Sequence, residues 1–247
     1  MRFAERMQWC ELDRVRVCLF RYDGMPTEEL KRYAFDKWGE YLQQERIYHR
    51  SFLAGRIAAL ALLEREQCDM AIEKNKTWGY LFLKTTHPQR YLSISHTERD
   101  HVKGIEEVSI SVLSSFPIGI DIEPISRRAS RVLPRICYPE EKYLVQQSLT
   151  KLSLTPEALC PSIVIWSLKE AIMKAYGVGL HHSFKNVVLK PHPHYQADSL
   201  ISGRGDCFLV DTQQSFNFPF KLNKPAVLWY LEAPWIIAIS TEASLLA

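Results

Sequence analysis

A block of helical sequence followed by a block of short strands occurs twice in this chain, and this order restricts its possible folds. In the first block, residues 27–66 carry apolar side chains at helical spacing, with Thr27 as a candidate N-cap. The runs YLSIS, VSISVL and IGIDIE then alternate or are rich in β-branched residues, which predicts strands. The turn-like SSFP between the last two runs predicts a hairpin there.

The second block repeats this order. Residues 139–149 and 157–180 return to helical spacing, and Gly177 and Gly179 end the second of these helices. CFLVD, AVLWYLE and WIIAIS are predicted strands, with EAP turning between the last two.

The repeated order predicts an α+β fold of two comparable halves rather than alternating βαβ units. The halves are residues 1–117 and 118–247, with the seam near Pro117. A chain of 247 residues that is 47% hydrophobic is long enough to bury a full core. Two halves in one chain make a monomer the simplest expectation.

Composition argues against several classes of partner. A net charge of +3 is too small to indicate nucleic-acid binding, and the sequence has no basic stripe with interleaved aromatic residues. Its six cysteines are scattered without a CxxC pair, which indicates reduced thiols and a cytoplasmic protein. The amino terminus has no apolar run of signal-peptide length, and no segment has the roughly 18 to 20 apolar residues of a membrane helix. We expect no nucleic-acid or membrane partner.

The pentapeptide GIDIE, residues 119–123, places two carboxylates on one face of a strand. Asp121 and Glu123 are two residues apart, so both leave the same face, while Ile120 and Ile122 point into a core. Adjacent carboxylates repel each other unless a positive group lies between them, and such oxygen ligands suit Mg²⁺. The alternative is a half-exposed edge strand with ordinary polar positions.

The helical segment WSLKEAIMKAY, residues 166–176, adds a third carboxylate. Glu170 and Lys174 are one turn apart on the side opposite its apolar face. An exposed i,i+4 ion pair is the simplest explanation. Together with GIDIE, however, Glu170 would complete a Mg²⁺ site and Lys174 would reach a phosphate oxygen.

The two motifs, in this order, resemble the paired signature of the Sfp-type 4'-phosphopantetheinyl transferase superfamily. SISHT (93–97) and YHRSFLAGR (48–56) also resemble segments of this family. The resemblance runs discontinuously from about residue 46 to residue 180.

This resemblance implies an enzyme of the holo-[acyl-carrier-protein] synthase type. Such an enzyme moves the 4'-phosphopantetheine arm of coenzyme A to a serine of an acyl, peptidyl or aryl carrier protein and releases 3',5'-ADP. Family members of this length resemble two fused copies of one α+β unit, related by a pseudo-twofold axis, with coenzyme A in the cleft between them.

The resemblance also implies roles for individual residues. Mg²⁺ would be held by Asp121, Glu123 and Glu170, and the same carboxylates accept Mn²⁺. Lys174 would contact the phosphates. On physical grounds, because a serine hydroxyl is a weak nucleophile that benefits from a nearby base, Glu170 is our candidate for activating it. The 3'-phosphate and adenosine end of coenzyme A would be bound by Arg50, Ser95 and His96.

Two segments depart from the family pattern. Where many relatives have Gly-Lys-Pro, this chain has WGYLFLK, so the lysine near the nucleotide is absent or replaced by Lys76 or Lys84. Where relatives have an aromatic-Ser segment before a glutamate, this chain reads CYPEEKY, and both Glu140 and Glu141 match.

RRASRVLPR, residues 127–135, places four arginines just after the proposed metal strand. Because carrier proteins are typically acidic, a basic rim would speed encounter and orient the serine. An ordinary solvated loop is an equally good interpretation. The four residues are Arg127, Arg128, Arg131 and Arg135.

Two other functions remain open from the sequence. The chain would be a coenzyme A or carrier-protein binding module if it had lost catalysis. The altered nucleotide segment leaves this alternative open, and the presence of all four motif residues argues against it: Asp121, Glu123, Glu170 and Lys174. An unrelated Mg²⁺-dependent phosphohydrolase is the second, and it would release inorganic phosphate.

Overall fold

The computed structural model shows two antiparallel sheets with helices packed on them. It describes residues 3–12, 15–39, 49–68, 72–74, 81–83, 90–97, 106–125, 131–154, 159–178, 183–193, 204–212 and 222–246. None of the helices in this part of the chain is long and apolar enough to cross a lipid bilayer.

In the described residues, the first half contains six strands and two α-helices. They are β1 (Met7–Leu12), β2 (Val15–Arg21), α1 (Thr27–Trp38), α2 (Arg50–Arg65), β3 (Ile72–Lys74), β4 (Leu81–Leu83), β5 (Tyr91–His96) and β6 (Val108–Ser114). The strands form one sheet in the order β1-β2-β6-β5-β4-β3.

The second half contains five strands and three α-helices in the described residues. They are β7 (Gly119–Pro124), α3 (Leu133–Ile136), α4 (Pro139–Lys151), α5 (Pro161–Ala175), β8 (Val187–Pro191), β9 (Arg204–Thr212), β10 (Pro225–Glu232) and β11 (Trp235–Glu242). The second sheet has the order β7-β11-β10-β9-β8.

The two halves repeat one topology. Apart from β1, each half starts with a strand, continues through helices and ends with four antiparallel strands, the last of which pairs with the first strand. The predicted α+β fold of two similar halves is therefore confirmed. The exact boundary between the two halves at residue 117 stays a prediction, because a shared apolar core between the two sheets joins the halves.

Among the described residues, three apolar cores hold these layers together. One lies between α1, α2 and the first sheet, and one between α5 and the second sheet. The third lies between the sheets and includes Leu19 of β2, Ile110 of β6, Ile120 of β7 and Ile239 of β11. β2, β10 and β11 also contribute their other face to an apolar core, which explains their nearly continuous apolar runs. The other faces of β6 and β7 carry buried polar side chains.

The predicted hairpin between VSISVL and IGIDIE is wrong. β6 pairs with β2 and β5, whereas β7 pairs with β11 in the other sheet. The chain bends at residues 115–116 and crosses between sheets at Pro117, whose carbonyl accepts a hydrogen bond from Thr241 Oγ1 of β11 (2.9 Å). Local turn signals do not tell which sheet the next strand joins.

The helical predictions are confirmed in type and corrected in extent. The segment 27–66 contains two helices, and residues 40–48 lie outside the described residues. Thr27 is the first helical residue rather than the N-cap, because Pro26 is extended and its carbonyl accepts from Leu30 N (3.1 Å).

The helix predicted over 157–180 runs from Pro161 to Ala175 in the described residues. Gly177 ends it with a φ of +74°, a conformation that side chains disfavour. The sequence analysis did not predict β1 and β2, whereas the hairpin of β10 and β11 turns at EAP as expected.

Candidate functional site

The candidate site lies where α5 crosses β7. β7 is an edge strand of its sheet, yet all six of its residues are buried, so the half-exposed alternative is wrong. A Cβ on Gly119 would lie 1.9 Å from the carbonyl oxygen of Ala171. The missing side chain at Gly119 therefore lets α5 lie directly on β7.

Asp121 is the centre of the polar contacts at this crossing. Its Oδ1 atom accepts hydrogen bonds from Ser95 Oγ of β5 (2.8 Å) and from Lys174 Nζ of α5 (2.8 Å). Lys174 Nζ also donates to Ser95 Oγ (3.0 Å). Three residues from three elements, and from both halves of the chain, thus meet at one carboxylate oxygen.

The Lys174 ammonium is surrounded by side-chain and backbone oxygen atoms. Besides its contacts with Asp121 and Ser95, its Nζ donates to Ile120 O (3.1 Å) and lies 3.7 Å from Glu170 Oε2. Burial by itself would lower the pKa of the Lys174 ammonium, but the attraction of Asp121, Glu170 and Glu123 outweighs it and raises that pKa. The Glu170 and Lys174 side chains are only 16% and 24% exposed, so this is not a solvated surface pair.

The carboxylates have the chemistry that a divalent cation requires. Asp121 Oδ2 is buried and has no hydrogen-bond partner in the described structure, so the carboxylate has unused acceptor capacity. Glu123 follows on the same face of β7 and is also buried. Within the described residues no three His, Cys, Asp or Glu side chains are already grouped as a metal site. Carboxylate oxygens are the donors that Mg²⁺ prefers, but Asp121, Glu123 and Glu170 are not grouped around one point here, and Lys174 is bonded to Asp121.

Arg50 is engaged by a residue that the sequence analysis did not identify. Its guanidinium makes a bidentate ion pair with the buried carboxylate of Glu107 and also donates a hydrogen bond to Tyr22 O (3.3 Å). His96 is exposed at the end of β5. Glu107 directly precedes β6.

A buried ion pair between α5 and α4 was not predicted from the sequence. Lys169 Nζ lies 2.5 Å from Glu141 Oε1, and the two side chains are 0% and 1% exposed. Glu141 accepts from Tyr138 N (2.8 Å) and Leu189 N (2.9 Å), and Lys169 donates to Val187 O and Phe184 O. Burial, opposed by Glu141, lowers the pKa of Lys169.

This pair separates the two glutamates that the sequence left ambiguous. Glu140 is exposed, whereas Glu141 is buried and ionically paired. Pro139 at the first helical position makes Glu141 the third helical residue, where a glutamate commonly reaches back to the helix start. The two-residue spacing between Pro139 and Glu141 was therefore the sequence signal that could have distinguished Glu141 from Glu140.

A comparison with family models matches residues 117–224 to the 4'-phosphopantetheinyl transferase superfamily. Residues 117–224 are therefore similar to the domain that defines this superfamily. The matched segment includes β7 and α5, and hence Asp121, Glu123, Glu170 and Lys174. A search among curated proteins found no match.

The phosphopantetheinyl transferase match leaves several predicted contacts outside its range. Arg50, Ser95 and His96 precede it, so their proposed roles stay predictions. Lys76 and Lys84, the candidates for the missing nucleotide lysine, lie outside the described residues. Of the basic rim, the described residues include only two arginines, both exposed: Arg131 and Arg135.

Proposed function

We propose that the chain transfers the 4'-phosphopantetheine arm of coenzyme A to a serine of an apo carrier protein. The observation that carries this proposal is the meeting of Asp121, Glu170 and Lys174 at one crossing of β7 and α5 within the matched segment. Acyl, peptidyl and aryl carrier proteins are the candidate acceptors.

In the proposed reaction, the serine oxygen forms a bond to the phosphorus that carries the pantetheine arm. The bond from that phosphorus to the bridging oxygen of the pyrophosphate breaks, and 3',5'-ADP leaves with the electron pair. Glu170 accepts the serine proton, directly or through a water molecule, because a serine hydroxyl is a weak nucleophile at neutral pH.

Lys174 and the carboxylates have complementary roles in this proposal. The Lys174 ammonium binds phosphate oxygens and reduces the charge that repels the incoming serine. Asp121, Glu123 and Glu170 would hold Mg²⁺, or Mn²⁺, which neutralises pyrophosphate charge when it is bound. Close packing of α5 on β7 keeps these side chains in place and excludes water from one side of the site.

We propose that Arg50, Ser95 and His96 bind the nucleotide end of coenzyme A. Two of these residues, Ser95 and Arg50, also contact acidic residues of the protein. The Ser95 hydroxyl binds Asp121, so it supports the carboxylate end of the site. A phosphate at Arg50 would share the guanidinium with Glu107. This occupied arginine is also the observation that favours the second candidate function, a binding module without catalysis.

Carrier docking is proposed along the basic rim after β7. Arg131 and Arg135 are exposed there, and opposite charge would bring an acidic carrier to the site. Their substitution should slow association without changing the chemical step.

The test is the intact mass of a purified apo carrier protein after incubation with coenzyme A, Mg²⁺ and this protein. We expect a gain of one phosphopantetheine, which disappears with a chelator and falls steeply in Glu170→Gln. Glu140→Gln is the matched control, because Glu140 is exposed on α4. No gain with several unrelated carriers, while coenzyme A still binds, would favour the binding module. Release of inorganic phosphate would instead identify a phosphohydrolase.

A further inference from the structure

The Lys174 ammonium is surrounded by the kind of oxygen atoms that a divalent cation binds. It donates to a carboxylate oxygen of Asp121, the hydroxyl of Ser95 and the carbonyl of Ile120, at 2.8, 3.0 and 3.1 Å. Glu170 Oε2 lies 3.7 Å away on the same helix. Hard oxygen donors of this kind are also the ligands of Mg²⁺ and Mn²⁺.

Two cations cannot share this carboxylate without strong repulsion. A divalent ion bound by Asp121 and an ammonium held at the same carboxylate would lie within a few ångströms in a buried environment, where charges are poorly screened. Asp121 is 3% exposed, so water does little to separate them. Binding of a divalent ion at Asp121 therefore weakens binding of the ammonium there, and binding of the ammonium weakens binding of the ion.

Ser95 stabilises the arrangement in which the Lys174 ammonium is bound to Asp121. Its hydroxyl donates to Asp121 and accepts from Lys174, so it closes a three-membered hydrogen-bonded ring. A ring of this kind holds the side chains in one geometry, although Lys174 remains 24% exposed and has a route outward.

We propose that Lys174 is the internal counter-cation of this carboxylate site and exchanges with a divalent ion. In the metal-free protein Lys174 neutralises Asp121. When a divalent ion binds, the ammonium moves off Asp121 and becomes available to an anionic ligand. The availability to substrate phosphates rests on the proposed function, whereas the exchange itself does not.

The proposed exchange predicts how metal affinity changes when Lys174 is removed. If Lys174 only bound phosphate, its removal would not strengthen metal binding. Removing Lys174 removes the competitor, so the metal affinity of the coenzyme A-free protein should rise. The measurement is a Mn²⁺ titration of the free protein, followed by electron paramagnetic resonance of unbound Mn²⁺. We expect the dissociation constant of Lys174→Gln to fall at least fivefold below that of the wild type.

Two controls connect the effect to this site. Asp121→Asn combined with Lys174→Gln should abolish the gain, because the ligand is lost with the competitor. Lys151→Gln should leave Mn²⁺ binding unchanged, because Lys151 is paired with Asp206 elsewhere (2.8 Å). Unchanged or weaker Mn²⁺ binding in a folded Lys174→Gln protein would overturn the proposal.

A second measurement needs only the wild-type protein and decides the question if the variant does not fold. Acetylation of lysines, read out by peptide mass spectrometry, should be slow at Lys174 without metal and at least threefold faster with Mn²⁺. Lys37, in a surface pair with Glu64 (2.7 Å), serves as the internal reference. No acceleration relative to Lys37 would overturn the exchange.

The outcomes also separate this inference from the proposed function. Carrier modification without a change in Mn²⁺ affinity would reject the exchange alone. Tighter Mn²⁺ binding in Lys174→Gln, together with no carrier modification by the wild-type protein, would reject the transferase proposal alone.

Discussion

Lys169 and Lys174 lie on one helix and hold the two opposite edge strands of the same sheet. Lys174 Nζ donates to Ile120 O of β7 (3.1 Å), and Lys169 Nζ donates to Val187 O of β8. Because unpaired backbone groups at a sheet edge invite pairing with other chains, these contacts protect both edges. They also fix the rotation of α5, and with it the direction of Glu170.

Removal of the buried lysine should destabilise the protein strongly. Lys169→Met would leave the Glu141 carboxylate buried without its ionic partner, at a cost of about 3 to 5 kcal/mol in the free energy of unfolding. Urea denaturation measures this, with Lys142→Met on the exposed face of α4 as the control. Lys169→Met with Glu141→Leu should recover a large part of the loss. Equal stability of the single and double variants would contradict the ion-pair explanation.

A methyl group at Gly119 should separate α5 from β7. The added Cβ would lie 1.9 Å from Ala171 O and 2.5 Å from Ala175 N, and backbone atoms cannot move away cheaply. We expect Gly119→Ala to lose more than about 2 kcal/mol of stability and most of the carrier modification. Gly24→Ala is the control: its φ is +71° but nothing lies within 4 Å, so only about 1 kcal/mol of backbone strain is expected. Similar losses in both variants would argue against close packing at Gly119.

Glu107 should compete with the 3'-phosphate of coenzyme A if Arg50 binds that phosphate. Glu107→Gln removes the competing charge, so the KM for coenzyme A should fall about threefold or more while kcat stays unchanged. Steady-state kinetics with coenzyme A and with 3'-dephospho-coenzyme A measure this, and only the former should respond. An equal response of both substrates would remove Arg50 from the 3'-phosphate site.

Stability should decline above pH 9 because of the buried thiol of Cys18 and the partly buried thiol of Cys10. Burial, aided by Glu232, raises the pKa of Cys10 to about 11, and burial with Cys10 nearby raises that of Cys18 to about 12, from an ordinary value of 9.0. A raised pKa favours the protonated thiol in the folded state, so this stabilisation is complete below pH 9 and is lost as the pH rises towards 11 to 12. Urea midpoints between pH 8 and 11 should fall less steeply in Cys18→Ala than in the wild type. Parallel slopes would exclude the thiol as a cause.

The local elements of the site follow from sequence patterns alone. Alternation in GIDIE is sufficient to place Asp121 and Glu123 on one face of a strand, and helical periodicity places Glu170 one turn from Lys174. These relationships depend only on residues close in sequence, whose spacing is set by backbone geometry. The type of each predicted helix was correct for the same reason.

Contacts between distant residues were decided by the tertiary structure. The sequence did not show that β7 leaves β6 for the second sheet, that Ser95 reaches Asp121, or that Glu107 engages Arg50. A charged residue in an apolar helix has the same local pattern whether it faces water or a buried partner, so Lys169 could not be matched to Glu141 in advance. The sequence thus determined which side chains share a face, and only the packing of sheets and helices decided what each of them meets.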